Sequence, residues 1–362
     1  MLTAEGKTKM GMFPTTALDI DAEFLTGVLG ETVEGVTHHP IGNGLVGDSA
    51  RFEIAYADRN ASAPTSIAAK FPAADPTSRA TAQAMRLYER EVGFYRNIAP
   101  HVATRTPQIY AAEYDAQTSD FLLLMEDLGP AKQGDQLEGC SFEEAMHCVR
   151  ELAALHGPSY AKTDLIAFEF LKTSDEVRQF LTSGFVGACE AFRTKFGRVL
   201  DPKFLDIVAR CGEKSAALWD RHSEKHDCII HGDFRLDNIM FAVRGDSEPM
   251  ATLDWQTVTS GDPLLDLGYF MGAGIGAELR ASHGDALIAE YASALVKQGG
   301  PQLSDITGSD GYAHGALRGV VTAVFSAAFV EDNERAKAIF KSMADGSCSL
   351  VQEIDALRVL EN

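Results

Sequence analysis

From Arg51 to Tyr56 the side chains alternate, with Phe52, Ile54 and Tyr56 on one side and Arg51, Glu53 and Ala55 on the other. A period of two marks a half-buried strand, and the short apolar runs Ser66 to Phe71 and Phe121 to Met125 carry the same reading. Ahead of them, after a polar leader, Ala22–Leu29 reads as a short helix. Between the strands the period lengthens. Leu87, Phe94, Tyr95 and Ile98 recur at helical spacing, which predicts one helix over about 80–98. Glu91 falls inside that apolar stripe, where a carboxylate needs a partner. From Ser141 onward helices dominate. Ser141 and Glu144 form a capping-box signature, followed by Phe142, Ala145, Val149, Leu152 and His156 along one face. The change falls at Leu128-Gly129-Pro130, so the pattern predicts a small strand-rich lobe over 1–128 and a larger helical lobe over 129–362.

The segment Ile229-Ile230-His231-Gly232-Asp233-Phe234-Arg235-Leu236-Asp237-Asn238-Ile239-Met240-Phe241, followed by Thr252-Leu253-Asp254-Trp255-Gln256, holds the strongest chemical signal. Apolar runs bracket each polar cluster, as short buried strands ending in polar turns do. Such turns would bring Asp233, Asn238 and Asp254 together: one carboxylate to receive a hydroxyl proton and two oxygen ligands for Mg2+. The bland alternative is that Asp233 and Asp237 only form turn hydrogen bonds. In the N-terminal part, Gly42-Asn43-Gly44-Leu45-Val46-Gly47 matches GxGxxG. A dinucleotide fingerprint of that form opens a helix, whereas here a strand follows, so Gly42, Gly44 and Gly47 are expected in a phosphate-approaching loop between strands. Lys70 closes the run Ser66-Ile67-Ala68-Ala69 and would emerge beside that loop, with Glu91 as its orienting partner.

These motifs resemble the aminoglycoside phosphotransferase and choline kinase-like superfamily, whose catalytic loop runs His-Gly-Asp, four residues, Asn, with a metal-binding Asp shortly after. The resemblance covers about Thr37 to Phe270 and implies a bilobal protein-kinase-like α+β fold, with ATP between the lobes. It implies Asp233 as catalytic base, Asn238 and Asp254 as magnesium ligands, and His231 as a support beneath the loop. By the same resemblance Phe121 to Leu128 leads into the interlobe connection, with Glu126 and Leu128 beside the adenine and Met125 behind it. Gly261-Asp262-Pro263 and Asp266-Leu267-Gly268 also fit, with Asp266 tying the loop to the helices. Phe234-Arg235-Leu236-Asp237 departs from the proline or glycine and histidine often found there. Together with Met240-Phe241 and Asp254-Trp255-Gln256, that wording leans toward the less characterised branches of the superfamily, such as the ecdysteroid kinase-like one, which include kinases of bulky hydroxylated compounds, so antibiotic resistance is not implied.

Composition narrows the partners. The formal net charge is −20, from 52 acidic against 32 basic residues, so no nucleic-acid partner held through its phosphates is expected. The six cysteines are scattered without CxxC or zinc spacing, which suits a reducing compartment. No secretory leader is read, and the apolar stretch Gly319 to Val330 is too short to span a bilayer, so a cytoplasmic protein with no membrane partner is expected. No Walker A string occurs; Gly212-Glu213-Lys214-Ser215 lacks the Gly-Lys pair. Gly272-Ala273-Gly274-Ile275-Gly276-Ala277 reads as helix packing, and His156 as a hydrogen-bonded core residue. The partner is then a small-molecule hydroxyl acceptor, either a steroid-like alcohol or an aminosugar. Six phenylalanines, Phe168, Phe170, Phe180, Phe185, Phe192 and Phe196, form either an apolar acceptor pocket or ordinary helix packing. A catalytically silent nucleotide-binding scaffold and a protein kinase stay open as rivals, the latter opposed by Gly232 and by the lack of an Ala-Pro-Glu string after Asp254. ATP against GTP, oligomeric state and the acceptor itself are left open.

Overall fold

Asp21 starts the first regular element by accepting the Phe24 N–H, and Gly30, at φ 77°, ends it, giving helix α1 over Ala22–Leu29. The chain then builds β1 (Val33–Pro40), β2 (Gly47–Tyr56), β3 (Ser66–Pro72), β4 (Ile109–Tyr114) and β5 (Phe121–Glu126). They form one antiparallel sheet in the order β1-β2-β3-β5-β4. Along β2 burial alternates, as the period-two pattern predicts. β5 is buried along its whole length because it lies inside the sheet, between β3 and β4, and offers an unbroken apolar run. The computed structural model describes residues 13–42, 46–58, 60–221, 227–329 and 333–361.

The single helix expected over 80–98 is two. Asp75 caps α2 (Pro76–Ala84) by accepting the Ser78 N–H, and α3 spans Leu87–Asn97. Arg86 breaks them with φ 56°, and its guanidinium pairs with Glu89 through two hydrogen bonds of 2.7 and 2.9 Å. The 3.6 period is blind to one residue turned left-handed between two helices in near phase. The Tyr88 hydroxyl, buried just beyond the break, accepts the Ala73 N–H.

These strands and helices form one compact unit, the described residues up to Arg96 with Pro107–Leu128. The other unit holds Asn97–Thr106 and the described residues from Gly129 on. The boundary expected at 128/129 thus has an exception at 97–106, for which the reason is hydrogen bonding. The Ala103 N–H donates to the Ala154 carbonyl, the Thr252 N–H to that of Arg105, and Glu151 accepts from Thr104 Oγ1 and the Arg105 N–H.

In this second unit Ser141 and Glu144 form the expected capping box at the start of α4 (Phe142–Ser159). The remaining strands are short: β6 (Lys132–Gln133), β7 (Cys228–Ile230), β8 (Ile239–Ala242), β9 (Glu248–Thr252) and β10 (Thr259–Gly261). They make a β6-β8-β9 sheet and a β10-β7 pair. Glycine sets one close approach. A Cβ at Gly268 would stand 2.2 Å from the Tyr312 carbonyl oxygen, and one at Gly315 would stand 2.3 Å from that of Leu265. Helices Pro263–Tyr269 and Gly311–Phe329 therefore pack backbone to backbone. Of the six phenylalanines, Phe185, Phe192 and Phe196 belong to the main core and Phe170 is buried, whereas Phe180 is exposed, which favours helix packing over a shared aromatic pocket. Among the described residues no helix is long and apolar enough to cross a membrane.

Candidate functional site

β7 carries three buried apolar residues, Cys228–Ile230, and stops where the sequence turns polar. The loop from His231 closes in a 3-10 turn over Leu236–Asn238 and passes into β8. β8 pairs with β9 through Ile239 and Thr252, and the Leu253 N–H donates to the Asn238 carbonyl at 2.9 Å. Asp254 follows at once, at φ 62° and ψ 70°. A left-handed aspartate is a strained placement of the sort concentrated at functional sites. Backbone pairing thus places the Asn238 and Asp254 segments side by side, and Asn238 reaches the third predicted residue directly. Its Nδ2 donates to the Asp233 carbonyl at 2.9 Å and to Asp233 Oδ2 at 3.1 Å.

Three residues absent from the predicted site close around Asp233. The Tyr269 hydroxyl donates to Asp233 Oδ1. Arg235 Nε donates to Oδ2 at 3.3 Å while its Nη1 donates to Asp237. Arg318 Nε donates to the Gly232 carbonyl at 3.0 Å. Burial works against the Arg235 charge, but Asp233, Tyr269 and Asp237 outweigh it and hold the guanidinium firmly ionised. Burial, then Asp233, pushes the Tyr269 hydroxyl far up, so it stays a donor. Arg235 stood within the quoted motif, and Tyr269 lies three residues past Asp266, on the same helical face. For Arg318 the sequence carried no signal, since it comes from a helix far downstream.

Beneath this layer lies a fully buried support. Asp266 accepts the His231 N–H at 2.6 Å, the Gly232 N–H at 2.9 Å and His156 Nε2 at 3.3 Å. His156 Nδ1 meets the Tyr291 hydroxyl at 2.9 Å, so His156 is the hydrogen-bonded core residue expected of it. Burial alone would raise the Asp266 carboxyl. The bond and charge of His156, with His231 and the Gly232 N–H, outweigh burial and hold it below the usual carboxylate range. His231 Nε2 lies 2.9 Å from the Leu253 carbonyl and its Nδ1 accepts the Asp233 N–H at 3.2 Å, so the ring braces both motif segments.

The donor set suits a hard cation. Nδ2 of Asn238 is committed to Asp233, which leaves its amide oxygen as the ligand atom, and Asp254, one residue past the Leu253 N–H that donates to the Asn238 carbonyl, adds a carboxylate, so both side chains offer oxygen ligands only. Among the described residues no group of three His, Cys, Asp or Glu side chains could hold a metal. A two-ligand set of this kind fits magnesium, which keeps waters and takes substrate phosphate oxygens for the rest of its shell.

In the first unit, β3 aims Lys70 at Glu91 of α3. Lys70 Nζ lies 2.9 Å from Oε1 and 2.8 Å from Oε2, and the Glu91 side chain is 2% exposed. Gly42 has φ 69° in the connection after β1. Gly47 is not in that connection but opens β2, opposite Pro72. Gly44 lies outside the described residues. Met125, Glu126 and Leu128 are buried. Glu126 Oε2 accepts the Gln108 N–H at 3.0 Å, so the carboxylate serves its own sheet. The neighbouring Asp127 accepts from Arg51 Nη2 at 2.6 Å and from Ser66.

Comparison with known proteins adds the following. The model of the ecdysteroid kinase-like family matches residues 42–299. Mouse acyl-CoA dehydrogenase family member 11 is 45% identical over 47 residues, 13% of this chain, and the match spans only 6% of that protein's length. The GDP complex of wild-type aminoglycoside 2′-phosphotransferase-IIIa superposes with a TM-score of 0.51 at 12% identity, covering 88% of this chain and 93% of that one. A microcompartment-associated aminopropanol kinase gives 0.51 at 14% identity, covering 94% and 100%. At such identity the structural likeness establishes the bilobal kinase-like α+β fold.

Proposed function

The chain belongs to the ecdysteroid kinase-like family, of kinase-like small-molecule phosphotransferases, and from that premise we propose that it moves the γ-phosphate of ATP to a hydroxyl of a small molecule. The observation that carries this reading is the Asp233 carboxylate joined by a hydrogen bond to Asn238, whose carbonyl in turn accepts the N–H of Leu253, the residue before Asp254. Asp233 accepts the proton of the attacking hydroxyl. Its rotamer is held from both ends, by Tyr269 at Oδ1 and by Asn238 and Arg235 at Oδ2, and each carboxylate oxygen keeps a further lone pair for that proton. Asn238 and Asp254 would hold Mg2+, which would neutralise charge on the phosphates. Lys70, oriented by Glu91, supplies the protein's own positive charge to them. Gly42 lets backbone approach the nucleotide, and Met125, Glu126 and Leu128 sit near the base.

The test is ADP release by wild type and Asp233→Asn over a panel of hydroxyl compounds with magnesium, alongside equilibrium ATP binding. Turnover should fall by roughly a hundredfold or more in the variant, while ATP still binds. Equal turnover in the two proteins, or no ATP binding by either, would refute the reading.

A further inference from the structure

Two arginines meet the catalytic loop, Arg235 and Arg318, and a third, Arg280, lies on a helix downstream of it; they are used differently. Arg235 is spent between Asp233 and Asp237. Arg280 is clamped by Glu353, Ser349 and the Met271 carbonyl. Arg318 gives one bond, from Nε to the Gly232 carbonyl at 3.0 Å, and among the described residues its two terminal nitrogens meet neither an acceptor nor a carboxylate. The single bond fixes where the guanidinium stands and leaves its fork unused.

Gly232 makes the room for it. A Cβ there would lie 3.0 Å from Arg318 Nη2 and 2.6 Å from the Thr257 carbonyl oxygen, and φ is 83°. The glycine of His231-Gly232-Asp233 is therefore the seat of an arginine from the Gly311–Phe329 helix. The position relative to Asp233 also has meaning. Asn238, on the metal side, donates to Oδ2, whereas Tyr269 donates to Oδ1. Arg318 lies close enough to Tyr269 for its charge to weigh on that hydroxyl. The unspent cation thus stands on the residue that precedes Asp233, within electrostatic reach of the hydroxyl that meets Oδ1.

We propose that Arg318 is a specificity-determining residue of the acceptor site, and that the acceptor is a hydroxyl compound bearing a carboxylate or phosphate. This rests on the kinase reading above. A guanidinium fork takes an oxyanion through two parallel bonds, and the same charge disfavours the ammonium of an aminosugar or amino alcohol. Charge-assisted bonds of this kind convert to a preference of roughly tenfold or more.

Equilibrium binding without nucleotide tests this, using an ω-hydroxyalkanoate, an alkanediol monophosphate, the matching amide and the matching amino alcohol. Arg318→Gln is the main variant, because its Nε2 occupies the chain position of Arg Nε and keeps a donor for Gly232 while removing the fork. Arg318→Lys, which keeps the charge, is the second, and melting temperatures report that both fold. Wild type should bind the carboxylate or the phosphate probe at least about tenfold more tightly than the amide and the amine; which of the two it prefers identifies the anion. Arg318→Gln should lose that preference, Arg318→Lys should keep part of it, and in turnover the loss should fall on KM for the anionic acceptor more than on kcat. No anion preference in wild type, or one that survives in Arg318→Gln, overturns the proposal. So does a uniform fall in kcat with unchanged nucleotide-free binding, which would assign the fork to the transferring phosphoryl group. Should Asp233→Asn leave turnover intact, the kinase reading fails, while the binding measurement still decides Arg318.

Discussion

The Lys70–Glu91 pair and the Asp233 loop both keep charge out of water, but by opposite means. In the first unit one strand residue meets one helix residue, at 2.8 Å, and the Lys70 side chain retains 15% of its exposure. In the second, Asp233 accepts from Tyr269, Asn238 and Arg235, and the backbone beneath it hangs on a carboxylate with no exposure at all. A pair loses everything when one member goes, yet both members can be replaced together. A network spreads its load over several partners, and the one residue every path crosses, Asp266, has no substitute.

The largest effect should therefore come from Asp266. Asp266→Ala strands the His231 and Gly232 N–H groups and leaves buried His156 facing a cavity, a loss on the order of 3–5 kcal/mol in urea unfolding at neutral pH. Acid offers a milder cut at the same point. Because the folded carboxyl lies below the usual range, its contribution is complete above about pH 4 and disappears as the pH falls through the folded value. Asp266→Asn should remove that stretch of the stability-versus-pH curve. An unaltered curve, or Asp266→Ala as stable as wild type, would show that the loop does not hang on Asp266.

Glu91→Ala comes next. It takes the Glu91 carboxylate away from a mostly buried ammonium, a cost of about 2–3 kcal/mol, reduced from the fully buried case by the solvent Lys70 still sees. Lys70→Met in a Glu91→Leu background should recover most of that stability while nucleotide binding weakens with the loss of the Lys70 charge. A double variant no more stable than Glu91→Ala would mean that the pair behaves as a network after all.

Tyr269→Phe should do least. The ring keeps its place in the core, so stability should change by about 1 kcal/mol or less, and Asn238 and Arg235 still hold Asp233, so kcat should fall by roughly tenfold at most. A fall as deep as that of Asp233→Asn would make Tyr269 indispensable and show that Asn238 and Arg235 do not share its load.

How legible each region was follows the same division. The strand periods, the capping box at Ser141 and the His231 to Asn238 motif were all readable, because each is written in residues a few positions apart. Glu91 was readable too, since a carboxylate in an apolar stripe announces a buried partner. The break at Arg86 was not, because a left-handed residue between two helices barely alters the hydrophobic phase. Nor was the sheet-bound use of Glu126, which depends on where Gln108 runs.

Local order thus determined which segments are strand or helix and which residue types could carry phosphoryl-transfer chemistry, since propensity, capping and motif spacing act over one or two turns. Tertiary structure alone decided what surrounds Asp233. Tyr269 reaches it across 36 positions, and Arg318 reaches the loop across 86. The close approach at Gly268 and Gly315 that brings their two helices together is a matter of backbone fit between distant segments, and no local period encodes it.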